Sequence, residues 1–381
     1  MLQRTIFDEE HDAFREAVGG FLRREAVPRT EQWLADGIID RGFWRRAAEQ
    51  GYVAFTAAEE HGGAGIDDFR FNVVLDEEVA RAGVVTDAFS LTNDIVAPYL
   101  TEVADEEQRA RHLPGMTSGD TVCAIAMSEP GAGSDLRGIA VSAHWDGQAY
   151  TLDGSKTFVT SGIQADVVIV AARVEGHEGV DGLGLFLVEA EVEGFTKGRK
   201  LDKVGRKAQD TAELFFDGVR IGPEACLGEP GDGLRLLMRN LPQERLSIAV
   251  TAVAHARRAL DLTLEYVRTR NAFGRPIGSF QHNRFTLAGL HTSLRAAQVY
   301  VDHCIEAHVA GRLDAADAAG VKAWTTDLEF RVIDACLQLH GGYGYMEEYE
   351  IARMWRDSRV QRIYGGTNEI MQEIVGRGLG L

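Results

Sequence analysis

The chain has 381 residues, 45% apolar and 26% charged, a composition that suits a folded protein with large cores and excludes a disordered one. At roughly 150 residues per domain, that length holds two or three domains. With 40 Lys and Arg against 58 Asp and Glu the formal net charge is −18, and no basic block offsets it, which argues against nucleic acid as a partner.

Glycine is abundant at 42 residues and proline scarce at 8, which permits long helices because an interior proline costs about 3 kcal/mol. Asp8–Ala26 carries Phe14, Val18, Phe21 and Leu22 at helical spacing and stops before Pro28. The pattern resumes over Asp67–Ala82, after the turn-rich His61–Gly65, with Glu77 and Glu78 read as a solvated helix face. From about residue 121 the texture changes. Tyr150–Thr160 predicts a hairpin turning at Asp153–Gly154. Val167–Val174, Leu183–Val188 and Glu213–Ile221 are short runs rich in β-formers bounded by Gly and Asp, so the middle third reads as an antiparallel sheet. After Gly231 helices return. Pro242 is expected at the first position of a helix through Leu246, Val250, Val253, Leu260 and Leu264 to about Thr269. Asn283–Ala310 and Ala315–Leu339 follow, and a last helix starts near Thr367, together fit for a bundle. The expected architecture is α+β and multidomain: a helical domain over 1–120, an antiparallel β domain over 121–230 and a four-helix bundle over 231–381.

The longest tight apolar run, Val167–Ala172, is far too short to span a bilayer. The N-terminus, MLQRTIFDEEHDAF, is studded with acids and lacks the apolar segment of a signal peptide, so a cytoplasmic location is expected. Cys123, Cys226, Cys304 and Cys336 are scattered and read as buried reduced thiols rather than a disulfide framework or a zinc pattern. The 11 histidines include no His-Glu-x-x-His, and His303 and His308 lie off a single helical face, so no metal site is expected.

Four segments carry the chemistry. Glu129-Pro-Gly-Ala-Gly-Ser-Asp135 is a glycine-rich loop whose backbone N–H groups suit a phosphate or a ring edge; no helix follows it, so it is not a dinucleotide fingerprint. The others are Arg268–Ile277 with Phe280 and Gln281, then Gln338–Tyr345, then Arg362–Ile370. In this order and spacing they resemble the acyl-CoA dehydrogenase family, and the resemblance runs from about residue 5 to 380.

That resemblance implies FAD as cofactor, held between the β domain and the C-terminal bundle. Ile125, Met127 and Ser128 match a strand end that meets the flavin's pyrimidine side. Gly133 and Ser134 match the turn near the pyrophosphate, and Ser134 also faces the CoA arm. Phe158 and Thr160 match a Trp-Ile-Thr segment that packs on the flavin and bonds near N5, with Phe in place of the usual Trp. Arg270, Phe280, Gln281, Gln338, Gly341 and Gly342 match positions that hold pyrophosphate and adenine across a dimer interface, where an Arg fork suits a diphosphate. Thr367 and Glu369 match the closing flavin contacts. The family desaturates acyl-CoA thioesters to trans-2-enoyl-CoA by α-proton abstraction and β-hydride transfer to flavin N5. It passes the electrons to an electron-transfer flavoprotein, and it is usually a homotetramer, a dimer of dimers.

Such a reaction needs a carboxylate at the α-carbon and donors for the enolate oxygen. Much of the family carries the carboxylate after the tyrosine of a Tyr-Glu-Gly-Thr loop. Here the loop reads Tyr364-Gly365-Gly366-Thr367. Either the chemistry is lost, or the base lies on the first long C-terminal helix, as in the isovaleryl and long-chain branches. Glu244 falls at that branch's position. Gly365 would then vacate the volume the Glu244 side chain fills and offer its N–H to the thioester oxygen. Arg245, Tyr364 and Gly366 match substrate-side positions. By spacing alone Glu244 reads as an acid in a helix first turn, where the macrodipole would lower its pKa and burial would raise it; the pairing with Gly365 is what favours the base. Asp135 reads as a cap on its loop.

Two rival readings share these residues. One is a flavin oxidase or monooxygenase on the same fold; the chain lacks the extra C-terminal domain of acyl-CoA oxidases. The other is a non-catalytic acyl-CoA-binding flavoprotein or partner subunit, against which Glu244 and the full motif set both count.

Overall fold

The computed structural model describes residues 4–84, 88–176 and 182–381. The first third is helical: α1 (Glu9–Glu25), α2 (Thr30–Asp36), α3 (Arg41–Glu49), α4 (Arg70–Ala82), α5 (Ala88–Ser90) and α6 (Glu106–Thr117). Asp8 starts α1 with a capping box, accepting from the backbone of Glu10 and His11, which satisfies N–H groups that have no partner inside the helix. Val18, Phe21 and Leu22 are buried, as their spacing predicts. Two π-helical turns, Leu91–Val96 and Tyr99–Val103, stand between α5 and α6. Glu77 and Glu78 depart from the solvated-face expectation: Glu78 is buried, and Arg15 reaches both carboxylates, at 2.8 and 3.1 Å.

Eight strands form one sheet: β1 (Cys123–Ala126), β2 (Ser142–Trp145), β3 (Tyr150–Thr160), β4 (Val167–Glu175), β5 (Leu183–Glu189), β6 (Phe195–Lys200), β7 (Thr211–Ile221) and β8 (Cys226–Leu227). The order is β6-β7-β3-β2-β4-β5-β8, with β1 also on β4. Most pairings are antiparallel, but β1 and β2 both run parallel to β4, so the sheet is mixed. The hairpin expected at Asp153–Gly154 is absent. β3 runs straight through that dipeptide, and its register with β7 shifts there. Gly154 is needed for close approach, since a Cβ on it would stand 2.9 Å from Val141 Cγ2. The turn between β2 and β3 is Asp146–Ala149, closed by Asp146 Oδ1 accepting from the N–H groups of Gln148 and Ala149.

The run Val167–Ala172 is buried on both faces of β4. Val167, Ile169 and Ala171 pack with the aromatic core of the first third, including Phe43, Trp44 and Phe89. Val168, Val170 and Ala172 pack with Tyr150, Phe186 and Phe216. A strand covered on both sides reads as a continuous apolar run rather than an alternating one.

The last third comprises α7 (Gly233–Thr269), the short pair β9 (Asn271–Ala272) and β10 (Arg275–Pro276), then α8 (Gln281–Val309), α9 (Ala315–His340), α10 (Glu350–Ser358) and α11 (Asn368–Gly378). Leu246, Val250, Val253 and Leu260 of α7 pack against Leu294 and Val301 of α8 and Val332 and Ile333 of α9. Pro242 does not begin α7; it lies inside a helix of 37 residues. A proline there leaves the carbonyl four residues back unbonded. That residue, Met238, is exposed, so water reaches the side where the bond is missing.

Candidate active site

The longer α7 changes the setting of Glu244. It is the twelfth residue of the helix, not a first-turn acid, so the macrodipole, which acts within the first turn, does not reach it. Glu244 is 3% exposed. Tyr99, fully buried on its π-helical turn, donates Oη–H to Glu244 Oε1 at 3.2 Å. Burial pushes the Glu244 carboxyl up to about 7, against the hydrogen bond from Tyr99 and the neighbouring Arg245 charge. A carboxyl at that value is poised to take a proton near neutral pH.

Opposite lies the turn of Tyr364, Gly365 and Gly366, all half-buried. Gly365 and Gly366 have φ of +64° and +93°, the left-handed region that favours glycine. Ile248, rather than Glu244, stands where a side chain on Gly365 would begin. A Cβ there would run into Ile248 Cδ1, one helical turn beyond Glu244, and meets no Glu244 atom within 4 Å. Arg245 is buried, with Nε 3.5 Å from the Gly365 carbonyl. Lys322 of α9 holds the turn from behind, its Nζ donating to Gly366 O at 2.7 Å and Asn368 Oδ1 at 3.1 Å. It is fully buried, and burial pushes its ammonium down to about 7. Thr367 caps α11, accepting from Ile370 N, and Glu369 is exposed in its first turn.

A second group gathers at the end of β1. Ile125, Met127 and Ser128 are half-buried. Ser128 O accepts from Thr157 N at 2.9 Å, which sets Ser128 beside Phe158. Phe158 has φ +59° and is 69% exposed, at a shift in the β3–β7 register between Lys156 and Val159. A large aromatic in a strained, left-handed conformation and turned to solvent is an outlier that points to a ligand. Thr160, half-buried, resumes the ladder opposite Thr211. Gly133 and Ser134 are exposed on a loop closed by reciprocal bonds between Glu129 and Ala132. Beneath it a buried pair, Glu129 and Lys156, meets at 2.7 Å, and Glu129 also accepts from Ala140 N and Val141 N. Asp135 accepts from Arg137 N, as a cap does.

The third group is a groove lined by Arg270, Gln338, Gly341 and Gly342, with Tyr266, Ile277, Tyr343 and Met346. A Cβ on Gly341 or Gly342 would meet nothing within 4 Å, so the groove is open there. The Arg270 guanidinium lies 5.6 Å from the Tyr343 ring centre. Phe280 and Gln281 do not line it; Phe280 carries Arg275 on its ring face at 4.3 Å, and Gln281 is the exposed first residue of α8. None of the residues from β1 to β3 lines this groove.

These features fit FAD. The exposed Phe158 beside Met127 and Ser128 suits a flavin ring, and the open groove with an Arg fork and a Gln amide suits a diphosphate and an adenine edge. Among the described residues, Glu60, His61 and Glu106 bring ligand atoms within 4.8 Å of one another, but both glutamates are exposed, an arrangement common without a metal. Tyr99, Lys322 and the Glu129–Lys156 pair escaped the sequence reading. Lys322 had a signal, a charge in the buried stripe of α9, seven residues before the buried Glu329. Tyr99 had none, because π-helical turns break the 3.6-residue period.

Three profiles of one family match end to end: acyl-CoA dehydrogenase N-terminal domain over 8–120, middle domain over 124–219 and C-terminal domain over 231–380. The chain is 46% identical over 376 residues to the long-chain specific acyl-CoA dehydrogenase, mitochondrial, of Sus scrofa, covering 98% of this chain and 87% of that one. A crystal structure of acyl-CoA dehydrogenase from Geobacillus kaustophilus superposes with a TM-score of 0.96 at 44% identity, covering 98% of this chain and 99% of that one. One from Bacillus anthracis, complexed with FAD, superposes at 0.92 with 28% identity, covering 100% and 69%. The chain belongs to the acyl-CoA dehydrogenase family, FAD-dependent oxidoreductases, and has that family's fold. Among the described residues, no helix is long and apolar enough to cross a membrane.

Proposed function

We propose that the protein desaturates a saturated long-chain acyl-CoA to its trans-2-enoyl-CoA, with Glu244 as base. The observation that carries this reading is a buried carboxyl, pushed up to about 7, near a left-handed glycine turn that bears no carboxylate of its own. Glu244 takes the α-proton. Gly365 N–H donates to the thioester oxygen, where negative charge develops. Burial of Glu244 and Arg245 keeps water from the acidified α-carbon. Bound FAD would supply the hydride acceptor for the β-carbon. Ile125, Met127, Ser128, Phe158 and Thr160 would hold its ring, Gly133, Ser134, Thr367 and Glu369 would make further contacts from the same chain, and Arg270, Phe280, Gln281, Gln338, Gly341 and Gly342 would reach its pyrophosphate and adenine across a dimer interface. Ser134, Arg245, Tyr364 and Gly366 would border the thioester.

Long-chain substrates are supported by the likeness to the porcine enzyme. Electron-transfer flavoprotein is the acceptor the family resemblance implies. A homotetramer is the assembly the family resemblance implies. The domain limits 1–120, 121–230 and 231–381 belong to the same reading. So does a cytoplasmic location, supported by four buried free thiols.

The test is an anaerobic titration of the FAD-loaded protein with butyryl-, octanoyl-, palmitoyl- and isovaleryl-CoA, following visible flavin absorbance. Fastest bleaching by palmitoyl-CoA is expected. Bleaching by none of the four would overturn the reading.

A further inference from the structure

We infer that Tyr99 is a positioning residue: its hydroxyl parks the Glu244 carboxylate in the free protein and releases it when the thioester binds. The inference rests on the reading of Glu244 as base. Tyr99 is fully buried, and its Oη–H donates to Glu244 Oε1. It follows Pro98 as the first residue of a π-helical turn, a geometry that changes side-chain direction and recurs at functional sites. On the far side, the space beside Gly365 holds Ile248 and no atom of Glu244. The carboxyl is therefore bonded to Tyr99, and no atom of Glu244 comes within 4 Å of the place where a side chain on Gly365 would begin. To reach an α-carbon held above Gly365, the carboxylate has to turn from Tyr99, and Ile248 has a flexible end that can make way.

A hydrogen bond present in the free protein and broken in the complex leaves a specific kinetic mark. A phenol donor favours the ionised carboxylate, and kcat/KM reports the ionisation of free enzyme whereas kcat reports that of the complex. Removing the hydroxyl raises the pKa seen in kcat/KM and leaves that in kcat where it was. Other charges facing Glu244 stay in place in such a variant. These are Arg245 on its own helix and Lys322 of α9, which acts on Arg245. Arg239 of α7 acts on Tyr99. One turn along, Ser247 bonds to the buried Asp76 of α4 and Asp94 of the first π-helical turn.

The experiment is anaerobic stopped-flow reduction by palmitoyl-CoA from pH 5.5 to 9, on FAD-loaded wild type, Tyr99→Phe and Glu244→Gln. Reduction rate at saturation stands for kcat, and its ratio to the dissociation constant for kcat/KM. For Tyr99→Phe we expect an upward pKa in the ratio only, with the ratio unchanged well below pH 7 and about tenfold up above pH 8, because binding no longer has to break a hydrogen bond to a charged group. Equal movement of both profiles, or of neither, overturns the parking role. Tyr99→Met, which also lacks the hydroxyl, gives the same reading if Tyr99→Phe does not fold. Normal reduction by Glu244→Gln would instead sink the base assignment, so the two failures are distinct.

Discussion

Ile248 Cδ1 occupies the place beside Gly365 where a side chain at that position would begin. The turn is thus restricted twice, once by contact with Ile248 and once by its φ of +64°. These restrictions separate experimentally. Gly365→Ala should destabilise the protein and slow flavin reduction at least tenfold. Adding Ile248→Val removes the clashing Cδ1 at the cost of one methylene, but leaves the left-handed backbone, which costs an L-residue about 1–2 kcal/mol. Partial recovery of melting temperature in the double variant is the expected outcome. Full recovery would show that backbone conformation carries no cost at this turn.

Phe158 stores strain that only a ligand contact justifies. Phe158→Gly relieves the left-handed backbone at φ +59° and removes the exposed ring. The flavin-free variant should melt no lower than flavin-free wild type, because its exposed ring has little packing to lose, while FAD retention on gel filtration should fall. Retention equal to wild type would remove Phe158 from the cofactor site.

Much of the fold was legible in the sequence because its periodicities are regular. The stripe Val18, Phe21 and Leu22 ends buried as its spacing predicts, and the run starting at Val167 forms a strand as its β-branched residues predict. The errors have local causes. Asp153–Gly154 looks like a turn, yet Gly154 serves a close approach inside a strand, and nothing local tells the two uses apart. Pro242 looks like a helix start, yet the packing of α7 holds the helix across it. Glu244 was singled out by the missing acid at 365, a comparison of loops rather than a property of its neighbours. Its partner Tyr99 lies 145 residues away on a π-helical turn, where no short-range pattern could reveal it.

Burial of Glu244 also makes stability depend on pH. Its folded value, about 7, lies above the ordinary 4.5. Between those values the folded chain binds more protons than the unfolded one, so stability falls as pH rises. The melting temperature of Glu244→Gln should therefore gain on wild type from pH 4.5 to 7, by a free energy on the order of 3 kcal/mol across the window. A pH-independent gap in paired thermal melts would contradict the buried, proton-binding carboxyl.

Lys322 carries the opposite sign. Its folded value, about 7, lies below the ordinary 10.5. Between those values the unfolded chain binds more protons, so wild-type stability rises with pH through the window. Wild type should gain on Lys322→Met from pH 7 to 10, read as the difference in melting temperature. The variant should also reduce flavin more slowly, because Gly366 O and Asn368 Oδ1 lose the donor that holds the turn. No change in either measurement would remove Lys322 from the support of the turn.

The central claim is that Glu244 takes the α-proton. It is tested most directly by the anaerobic rate of flavin bleaching in Glu244→Gln against wild type, with palmitoyl-CoA at saturation and equal FAD content in both. The glutamine keeps the shape of the side chain and can still accept from Tyr99, but its neutral amide cannot serve as the base. The expected result is rapid bleaching by wild type and a loss of at least a thousandfold in the variant, on the order of 4 kcal/mol in the barrier. Bleaching of the variant at a near-normal rate would contradict the assignment and place the base elsewhere.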